Sequence, residues 1–378
     1  MSRAHSQIRN RRRQVAQLLA DGLSINEVAT LLKEHWAVIN SDAKAIAADP
    51  NNIDYLAPRQ TLAKQLDSYD RLEREAREHL GRAIDAGKRI ALASKELLVM
   101  AGELIMRAVR EHQTSLIPVD SEHAALFQVL QGVSREQVER LIITGSGGPL
   151  WSLGLAPEQV SRAQVLNHPK WRMGPKITVD SATLMNKGLE MIEARWLFDV
   201  PLEQLRLLIH PQAVIHGMVE LRDGSCLAQM SICDMRLPIQ YALSFPERWS
   251  SPLAPLKWTE LSALQFFEPD LDRFPCLRLA LEAARAGGTA CAVLSAANET
   301  AVQAYLQEAL SFAEIPRIIQ TVMAQHEPMV HPALEDILRC DTWARQAATQ
   351  LIADCGLRLA DSDTTQSEIR HQQSEIPT

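Results

Sequence analysis

The chain has 378 residues, of which 46% are apolar and 22% are charged, and its formal net charge is −7. These values predict a soluble globular protein of two or three domains. No segment has the length and apolarity of a transmembrane helix, and the N-terminus lacks the apolar core of a signal peptide. The six cysteines show no C-x-x-C spacing. We therefore expect reduced thiols in a cytoplasmic protein and exclude a disulfide or zinc framework.

The N-terminal part of the chain is predicted to be helical. Capped, apolar-periodic segments run through residues 1–50 and resemble a helix-turn-helix, with Asn40 and Lys44 on the predicted recognition helix. The arginine-rich stretch 9–13 supplies charge for DNA phosphates. The alternative is a plain three-helix bundle with a solvated basic end. Residues 51–80 are rich in charge and are predicted to form a helical connector.

The segment from Ile117 to His123 reads I-P-V-D-S-E-H and ends an apolar strand pattern in two carboxylates. On a strand, Asp120 and Glu122 would point to the same side. Like charges held that close are unfavourable unless a cation or a proton lies between them, and a hard divalent ion is the natural occupant. If Asp120 and Glu122 are considered without the other motifs, the alternative is a solvated turn.

A second strand pattern runs from Leu141 into the glycine-rich loop T-G-S-G-G-P. Glycines let consecutive backbone N–H groups converge on a phosphate, and Ser146 adds a hydroxyl donor. An ordinary tight turn is the alternative for this loop by itself. The stretch 151–167 that follows has no strong periodicity and lies between two site-forming segments, so we predict that it is a lid.

The segment from Val179 to Trp196 is predicted to be one helix with two unlike faces. Apolar residues at steps of four, three and four form the buried face: Met185, Leu189, Ile192 and Trp196. The opposite face carries an amide and two acids: Asn186, Glu190 and Glu193. We predict that Glu190 is the third ligand of a cation shared with Asp120 and Glu122, and that Lys187 beside it holds an anion.

The rest of the chain is predicted to contain a hairpin and a helical bundle. Strands over 213–221 and 225–232 flank an Asp223-Gly224 turn, and this hairpin is a candidate dimer interface. Helical patterns fill the stretch 275–354. The tail is rich in Ser, Thr, Gln and charge, which predicts disorder.

Taken together, these motifs resemble the 1-deoxy-D-xylulose 5-phosphate reductoisomerase family. Further motifs in the family's order are A-L-A-S-K-E-L-L-V, H-P-K-W-R-M-G, I-H-P-Q-A-V-I-H, D-M-R-L-P-I, F-P-C-L-R-L-A and L-S-A-A-N-E. The resemblance runs from residue 81 or so to the neighbourhood of residue 354. It implies an oxidoreductase that rearranges 1-deoxy-D-xylulose 5-phosphate and reduces the product to 2-C-methyl-D-erythritol 4-phosphate, in the non-mevalonate route to isoprenoids.

The resemblance also implies the cofactors, the assembly and the roles of individual residues. NADPH and Mg²⁺ or Mn²⁺ are the expected cofactors of a homodimer that acts on a sugar phosphate and does not bind membranes. The expected metal ligands are Asp120, Glu122 and Glu190, and the expected catalytic residues are Lys95, Glu122 and Glu190. Substrate contacts are implied for Lys95, Ser121, Glu122, Ser146, His168, Trp171, Ser181, Asn186, Lys187 and Glu190. Cofactor contacts are implied for Ser94, Glu96 and Gly174.

The chain departs from the family pattern in several places. Ser94 replaces a usual asparagine, Leu150 and Trp151 replace a usual phenylalanine-arginine pair, and Pro175 replaces a basic residue. The larger departure is that residues 1–80 contain a single glycine and no phosphate-binding turn. We therefore expect impaired turnover. The alternative function is a DNA-binding or scaffold protein fused to an inactive catalytic remnant, and a chimeric reading frame would also explain the join.

The predicted architecture is an α/β (α+β) catalytic domain with a C-terminal helical bundle. An all-α, helix-turn-helix-like N-terminal segment takes the place of most of a Rossmann-like domain. The predicted segments are a helix-turn-helix (1–50), a connector (51–80), a remnant of the NADPH-binding domain (81–119), a metal and substrate domain (120–265), the bundle (266–356) and a disordered tail (357–378).

Overall fold

The computed structural model describes residues 80–151, 153–154 and 157–373, and describes side chains as far as residue 354. The predicted helix-turn-helix and connector lie outside these residues. One compact unit spans Gly87–Thr378. Six strands are described: β1 (Ile90–Leu92), β2 (Leu116–Pro118), β3 (Val138–Gly145), β4 (Leu205–Ile209), β5 (Ile215–Leu221) and β6 (Cys226–Met230).

Ten α-helices accompany these strands in the described part of the unit Gly87–Thr378. The first five are α1 (Lys95–Glu111), α2 (Ser121–Leu130), α3 (Arg162–Val165), α4 (Pro175–Ala182) and α5 (Met185–Leu197). The others are α6 (Arg236–Ser244), α7 (Pro275–Ala286), α8 (Ala290–Leu306), α9 (Ile315–Ala324) and α10 (Leu334–Gln373).

The first two strands form a small parallel sheet joined by a helix. β1 and β2 pair in parallel, with Ile90 opposite Leu116. Parallel neighbours need a crossover connection, and α1 provides it. Because α1 begins directly after β1 and α2 directly after β2, both helices start at the same edge of this sheet. That edge carries Lys95 and Ser121, the first residues of the two helices.

A second sheet has the strand order β4-β3-β5-β6. β3 and β4 are parallel, whereas β5 is antiparallel to both β3 and β6. The predicted hairpin is confirmed as β5 and β6, and Gly224 in its turn has a φ of +86°. A positive φ is readily adopted only by glycine, so this residue suits the tight turn. β3 ends at Gly145, which places the glycine-rich loop at the end of a central strand.

The prediction of one helix over 179–196 was wrong, because the segment forms two helices. α4 ends at Ala182 and α5 begins at Met185. Between them Leu184 adopts a left-handed conformation, with φ of +57°, and its side chain is buried. The apolar periodicity continues across this break, so it did not reveal the change of direction. Burial of the Leu184 side chain compensates for the unfavourable backbone conformation.

The C-terminal helical bundle is confirmed by α7, α8, α9 and α10. Its central helix α8 is rich in alanine and nearly all buried, since small side chains let neighbouring helices approach closely. α10 continues to Gln373, so residues 357–373 are helical where a disordered tail was expected. A helix already nucleated by its packed first turns can propagate through residues of moderate propensity.

In the described residues, no helix is both long enough and apolar enough to cross a membrane. Five cysteines, at positions 226, 233, 276, 291 and 340, are free thiols.

Candidate active site

Three carboxylates converge where β2 meets α2 and α5. Asp120 is the N-cap of α2 and accepts the Ser121 backbone N–H at 2.8 Å, while Glu122 lies in the first turn of that helix. Glu190 comes from α5 and is 1% exposed. Single carboxylate oxygens of these three residues lie within 4.8 Å of one another. The expected convergence is thus present. The expected strand geometry was wrong, because β2 ends at Pro118 and the helix turn brings the two acids together.

Two lysines lie among these carboxylates. Lys95 Nζ is 2.5 Å from an oxygen of Asp120 and 3.0 Å from one of Glu190. Lys187 Nζ is 2.6 Å from oxygens of both Glu122 and Glu190. Three carboxylates and two ammonium groups leave a net charge of −1 in a buried volume. Because buried charge is costly unless it is compensated, this cluster favours an additional cation.

The pKa shifts in the cluster agree with this excess of negative charge. Burial opposes the ionised form of Asp120, but the Lys95 ammonium outweighs it and holds the pKa of Asp120 well below its usual range. Burial lowers the pKa of Lys187, but the Glu122 and Glu190 carboxylates reverse this and raise it to about 12. Burial, reinforced by the charge of Glu122, raises the pKa of Glu190. Glu190 is therefore the carboxylate that most needs a nearby positive charge.

A histidine and a further glutamate lie behind the cluster, and the sequence analysis did not assign either to the site. His123 is fully buried, and its Nε2 lies 3.0 Å from the Glu190 carbonyl and 3.4 Å from a Glu193 oxygen. Its Nδ1 lies 3.8 Å from Asp120. Asp120, His123 and Glu193 are a second group whose ligand atoms lie within 4.8 Å of one another. Glu193 lies three residues after Glu190 on the polar face of α5, so helical spacing could have predicted that it lies near the site.

The glycine-rich loop lies near the carboxylates and carries groups that could bind an anion. Ser146 Oγ lies 3.2 Å from His168 Nε2, and it also accepts the Gly148 backbone N–H at 3.2 Å. A Cβ added to Gly148 would lie 2.3 Å from the Ser181 carbonyl oxygen, so the loop passes directly over the end of α4. Backbone N–H groups, hydroxyls and an imidazole brought close together suit a phosphate. The predicted residues Ser146, His168 and Ser181 are therefore close neighbours.

His168 is held as a neutral imidazole. Its Nδ1 accepts the backbone N–H of Trp171 at 2.9 Å and that of Lys170 at 3.2 Å, which leaves Nε2 to carry the proton. Burial, with the nearby charge of Lys187, lowers the pKa of His168 to about 4. The imidazole can therefore donate a hydrogen bond at neutral pH.

A cleft of about 250 Å³ opens next to these groups. Its lining includes Ser121, Trp171 and His216. Trp171 lies with its ring centroid 6.2 Å from that of His216, and burial lowers the pKa of His216 to about 4. The predicted substrate residues Ser121 and Trp171 thus face one cavity.

The remaining predicted residues occupy two places. Asn186 accepts a hydrogen bond from Lys95 Nζ at 2.9 Å and donates one to Glu190, so it lies with the carboxylates. Lys187, expected at an anion, also contacts the carboxylates. The expected cofactor residues lie together at the starts of α1 and α4: Ser94, Glu96 and Gly174. Lys176 Nζ, 3.6 Å from Glu96, joins these two helix ends.

The fold and site define a class of α/β protein with three converging carboxylates, two of them buried, near a glycine-rich loop. Family models described as DXP reductoisomerase C-terminal domain and 1-deoxy-D-xylulose 5-phosphate reductoisomerase C-terminal domain match residues 230–347 and 116–198. The chain belongs to the 1-deoxy-D-xylulose 5-phosphate reductoisomerase family. The resemblance drawn from the sequence is thereby confirmed.

The relatives match over the same part of the chain. The reductoisomerase of Heliobacterium modesticaldum is 54% identical over 273 residues, which are 72% of this chain and 70% of that protein. That of Desulforamulus reducens is 50% identical over 72% of this chain and 71% of that protein. A solved structure of the Zymomonas mobilis enzyme in complex with NADPH has a TM-score of 0.66 at 46% identity, covering 71% of this chain and 70% of that one.

A further solved structure is a reductoisomerase in complex with NADPH, fosmidomycin and magnesium. It has a TM-score of 0.66 at 41% identity and covers 72% of this chain and 71% of that chain. These identities and TM-scores support transfer of the fold over the shared residues.

Proposed function

We propose that this chain acts as a 1-deoxy-D-xylulose 5-phosphate reductoisomerase, which rearranges its substrate and reduces the rearranged aldehyde to 2-C-methyl-D-erythritol 4-phosphate. The observation that carries the proposal is the convergence of Asp120, Glu122 and Glu190 beside the loop at Ser146. A sugar phosphate bound there would have its oxygens at the carboxylate cluster and its phosphate at the loop.

The carboxylate cluster fits a divalent cation. Its three acids offer oxygen ligands, the ligand type that Mg²⁺ and Mn²⁺ prefer, and it carries the net charge of −1 derived above. We assign the ion to Asp120, Glu122 and Glu190. When bound, the cation polarises oxygens of the ketose and lowers the cost of charge developing during the rearrangement.

The lysines and polar side chains of the site would bind and orient the substrate. Lys95 and Ser121, at the starts of α1 and α2, face its hydroxyl and carbonyl end, where the Lys95 ammonium stabilises developing negative charge. The phosphate end is assigned to Ser146, His168, Ser181, Asn186 and Lys187. For the last two, the present hydrogen bonds to the carboxylates would have to exchange for bonds to phosphate. Trp171 would cover the substrate and exclude water.

NADPH is proposed as the hydride donor, with Ser94, Glu96 and Gly174 at its nicotinamide end. A Cβ added to Gly174 would meet nothing within 4 Å, so this helix start is open to a ligand. Burial would raise the pKa of Glu96, but the charge of Lys176 outweighs it and lowers that pKa, so the acid is ionised at neutral pH. Residues 1–80 contain no glycine-rich turn for the pyrophosphate. Losing several charge-assisted hydrogen bonds, each worth about 1.5–3 kcal/mol, weakens binding by orders of magnitude.

A steady-state assay that follows NADPH absorbance with 1-deoxy-D-xylulose 5-phosphate and Mn²⁺ tests this function. We expect measurable turnover with a KM for NADPH raised at least tenfold over a full-length relative assayed in parallel. The variant Glu122→Gln should abolish turnover, whereas Glu282→Gln, an exposed change on α7, should leave it unaltered. No product formation at saturating NADPH would leave only the alternative of an inactive remnant.

The assembly and location are also proposals. We propose a homodimer in the cytoplasm, with the β5–β6 hairpin at the interface, because within the described residues β6 pairs only with β5 and its outer edge is available to a second copy. Light scattering of the intact chain should give twice the mass of 42.1 kDa. A monomer at assay concentration would contradict the dimer.

A further inference from the structure

An arginine at the start of the C-terminal bundle hydrogen-bonds the segment that follows the glycine-rich loop. Arg273 Nη2 donates to the Leu150 carbonyl at 2.7 Å, and its Nη1 donates to the Trp151 carbonyl at 3.1 Å. These are the two residues that directly follow the loop T-G-S-G-G-P. A guanidinium holds two acceptors in a fixed fork, which a lysine ammonium cannot reproduce.

Arg273 is itself held in place by its neighbours. Its backbone N–H donates to Asp270 Oδ1 at 3.0 Å, in the turn that precedes α7. Its guanidinium carbon lies 5.3 Å from the centre of the Phe274 ring, the distance of a cation–π contact. These contacts hold the Arg273 guanidinium in place independently of its hydrogen bonds to the loop segment.

The ring of Trp151 transmits this constraint to the loop. It stacks on Phe274 at a centroid distance of 6.2 Å and contacts Phe267 at 5.9 Å. A Cβ added to Gly147 would lie 2.5 Å from Trp151 Cβ and Cγ. Gly147 has a φ of +86° and follows Ser146 directly. The Trp151 side chain thus packs against the Gly147 backbone with no room for a larger residue, so we expect a shift of Trp151 to displace the loop at the phosphate position.

We propose that Arg273 is a positioning residue that holds the anion-binding loop in its binding conformation. Peptide planes are rigid, so these two bonds fix the planes that carry the Leu150 and Trp151 carbonyls, directly after the loop, and the Trp151 side chain packed against Gly147 then restrains the loop itself. The loop then needs less ordering when a phosphate binds, which raises affinity. The inference rests on the proposed function, in which the loop at Ser146 receives the substrate phosphate.

The test compares anion binding and metal binding in the intact chain. Isothermal titration with inorganic phosphate, with fosmidomycin in the presence of Mn²⁺, and with Mn²⁺ alone is run on the wild type, Arg273→Lys and Arg273→Ala. We expect at least a fivefold loss of phosphate and fosmidomycin affinity in the lysine variant and more than a tenfold loss in the alanine variant. Mn²⁺ affinity should stay within twofold, because the carboxylates do not contact Arg273.

Arg278→Ala is the matched control. Arg278 lines the same cavity of about 220 Å³ as Arg273, but its guanidinium pairs with Glu282 at 2.9 Å and does not contact the loop. All three affinities should remain within twofold of wild type. Unchanged phosphate affinity in both Arg273 variants would overturn the proposal, as would a parallel loss of Mn²⁺ binding, which indicates general unfolding. A wild type that binds Mn²⁺ but neither anion would instead refute the proposed function itself.

Discussion

Replacing Glu190 by Gln tests which carboxylates hold the cation. Glu190 is 1% exposed and contacts both lysines of the cluster, Lys95 at 3.0 Å and Lys187 at 2.6 Å. Glutamine keeps the shape and one oxygen but removes the charge. The cluster then changes from a net charge of −1 to neutral, so a divalent ion enters without its electrostatic compensation.

The size of the effect follows from the separation of the ligand atoms. A divalent ion about 4 Å from one unit charge, at an effective dielectric constant of about 20, interacts with it by about 8 kcal/mol. Most of this is offset, because Glu190 already interacts with two ammonium groups that the ion must displace or repel. We expect the free energy of Mn²⁺ binding to weaken by about 2–4 kcal/mol. This corresponds to a loss of roughly 30- to 1000-fold in Mn²⁺ affinity.

Calorimetric titration with Mn²⁺ measures this loss, and Glu193→Gln is the matched comparison. Glu193 lies one turn further along α5, is equally buried at 1% exposure, and belongs to the second candidate group with Asp120 and His123. We expect less than a threefold loss for Glu193→Gln. Equal binding by wild type and Glu190→Gln, or a larger loss in Glu193→Gln, would refute the assignment and place the ion in the other group.

Three further predictions concern the loop, the packing and the N-terminus. The His168 imidazole should remain neutral from pH 8 to about pH 5 by NMR, since its pKa is lowered to about 4. The unfolded chain takes up this proton near pH 6.5, so the stability that neutral His168 contributes should be lost as the pH falls from 6.5 to 4. A titration midpoint near pH 6.5 for His168 in the folded chain would contradict this. Gly188→Ala should cost about 1–3 kcal/mol in chemical denaturation, because the added Cβ would lie 2.3 Å from that of Ala280, whereas Gly132→Ala meets open space and should be neutral. A fragment of residues 1–50 should bind duplex DNA with an affinity that falls steeply with salt, and no band shift at low salt would leave only the bundle alternative.

Much of the site was predictable from local sequence, because its chemistry depends on residue type and on short spacings. The acids at 120 and 122 follow an apolar strand pattern, and the glycines after β3 mark a loop that only small residues can form. The helical spacing of Glu190 and Glu193 also placed both on one polar face. The family motifs then assigned the acids to a metal, and the comparisons confirm the family.

Tertiary structure decided what these spacings could not. The chain turns from strand to helix at Asp120, so the acids meet through a helix start and not through strand alternation. The break at Leu184 separates α4 from α5, although apolar periodicity continues through it, because a single left-handed residue leaves no trace in a hydrophobic pattern. Contacts between distant segments were equally hidden. His123 beneath Glu190 and Arg273 on the loop carbonyls depend on how helices and sheets pack, and no local pattern records that packing.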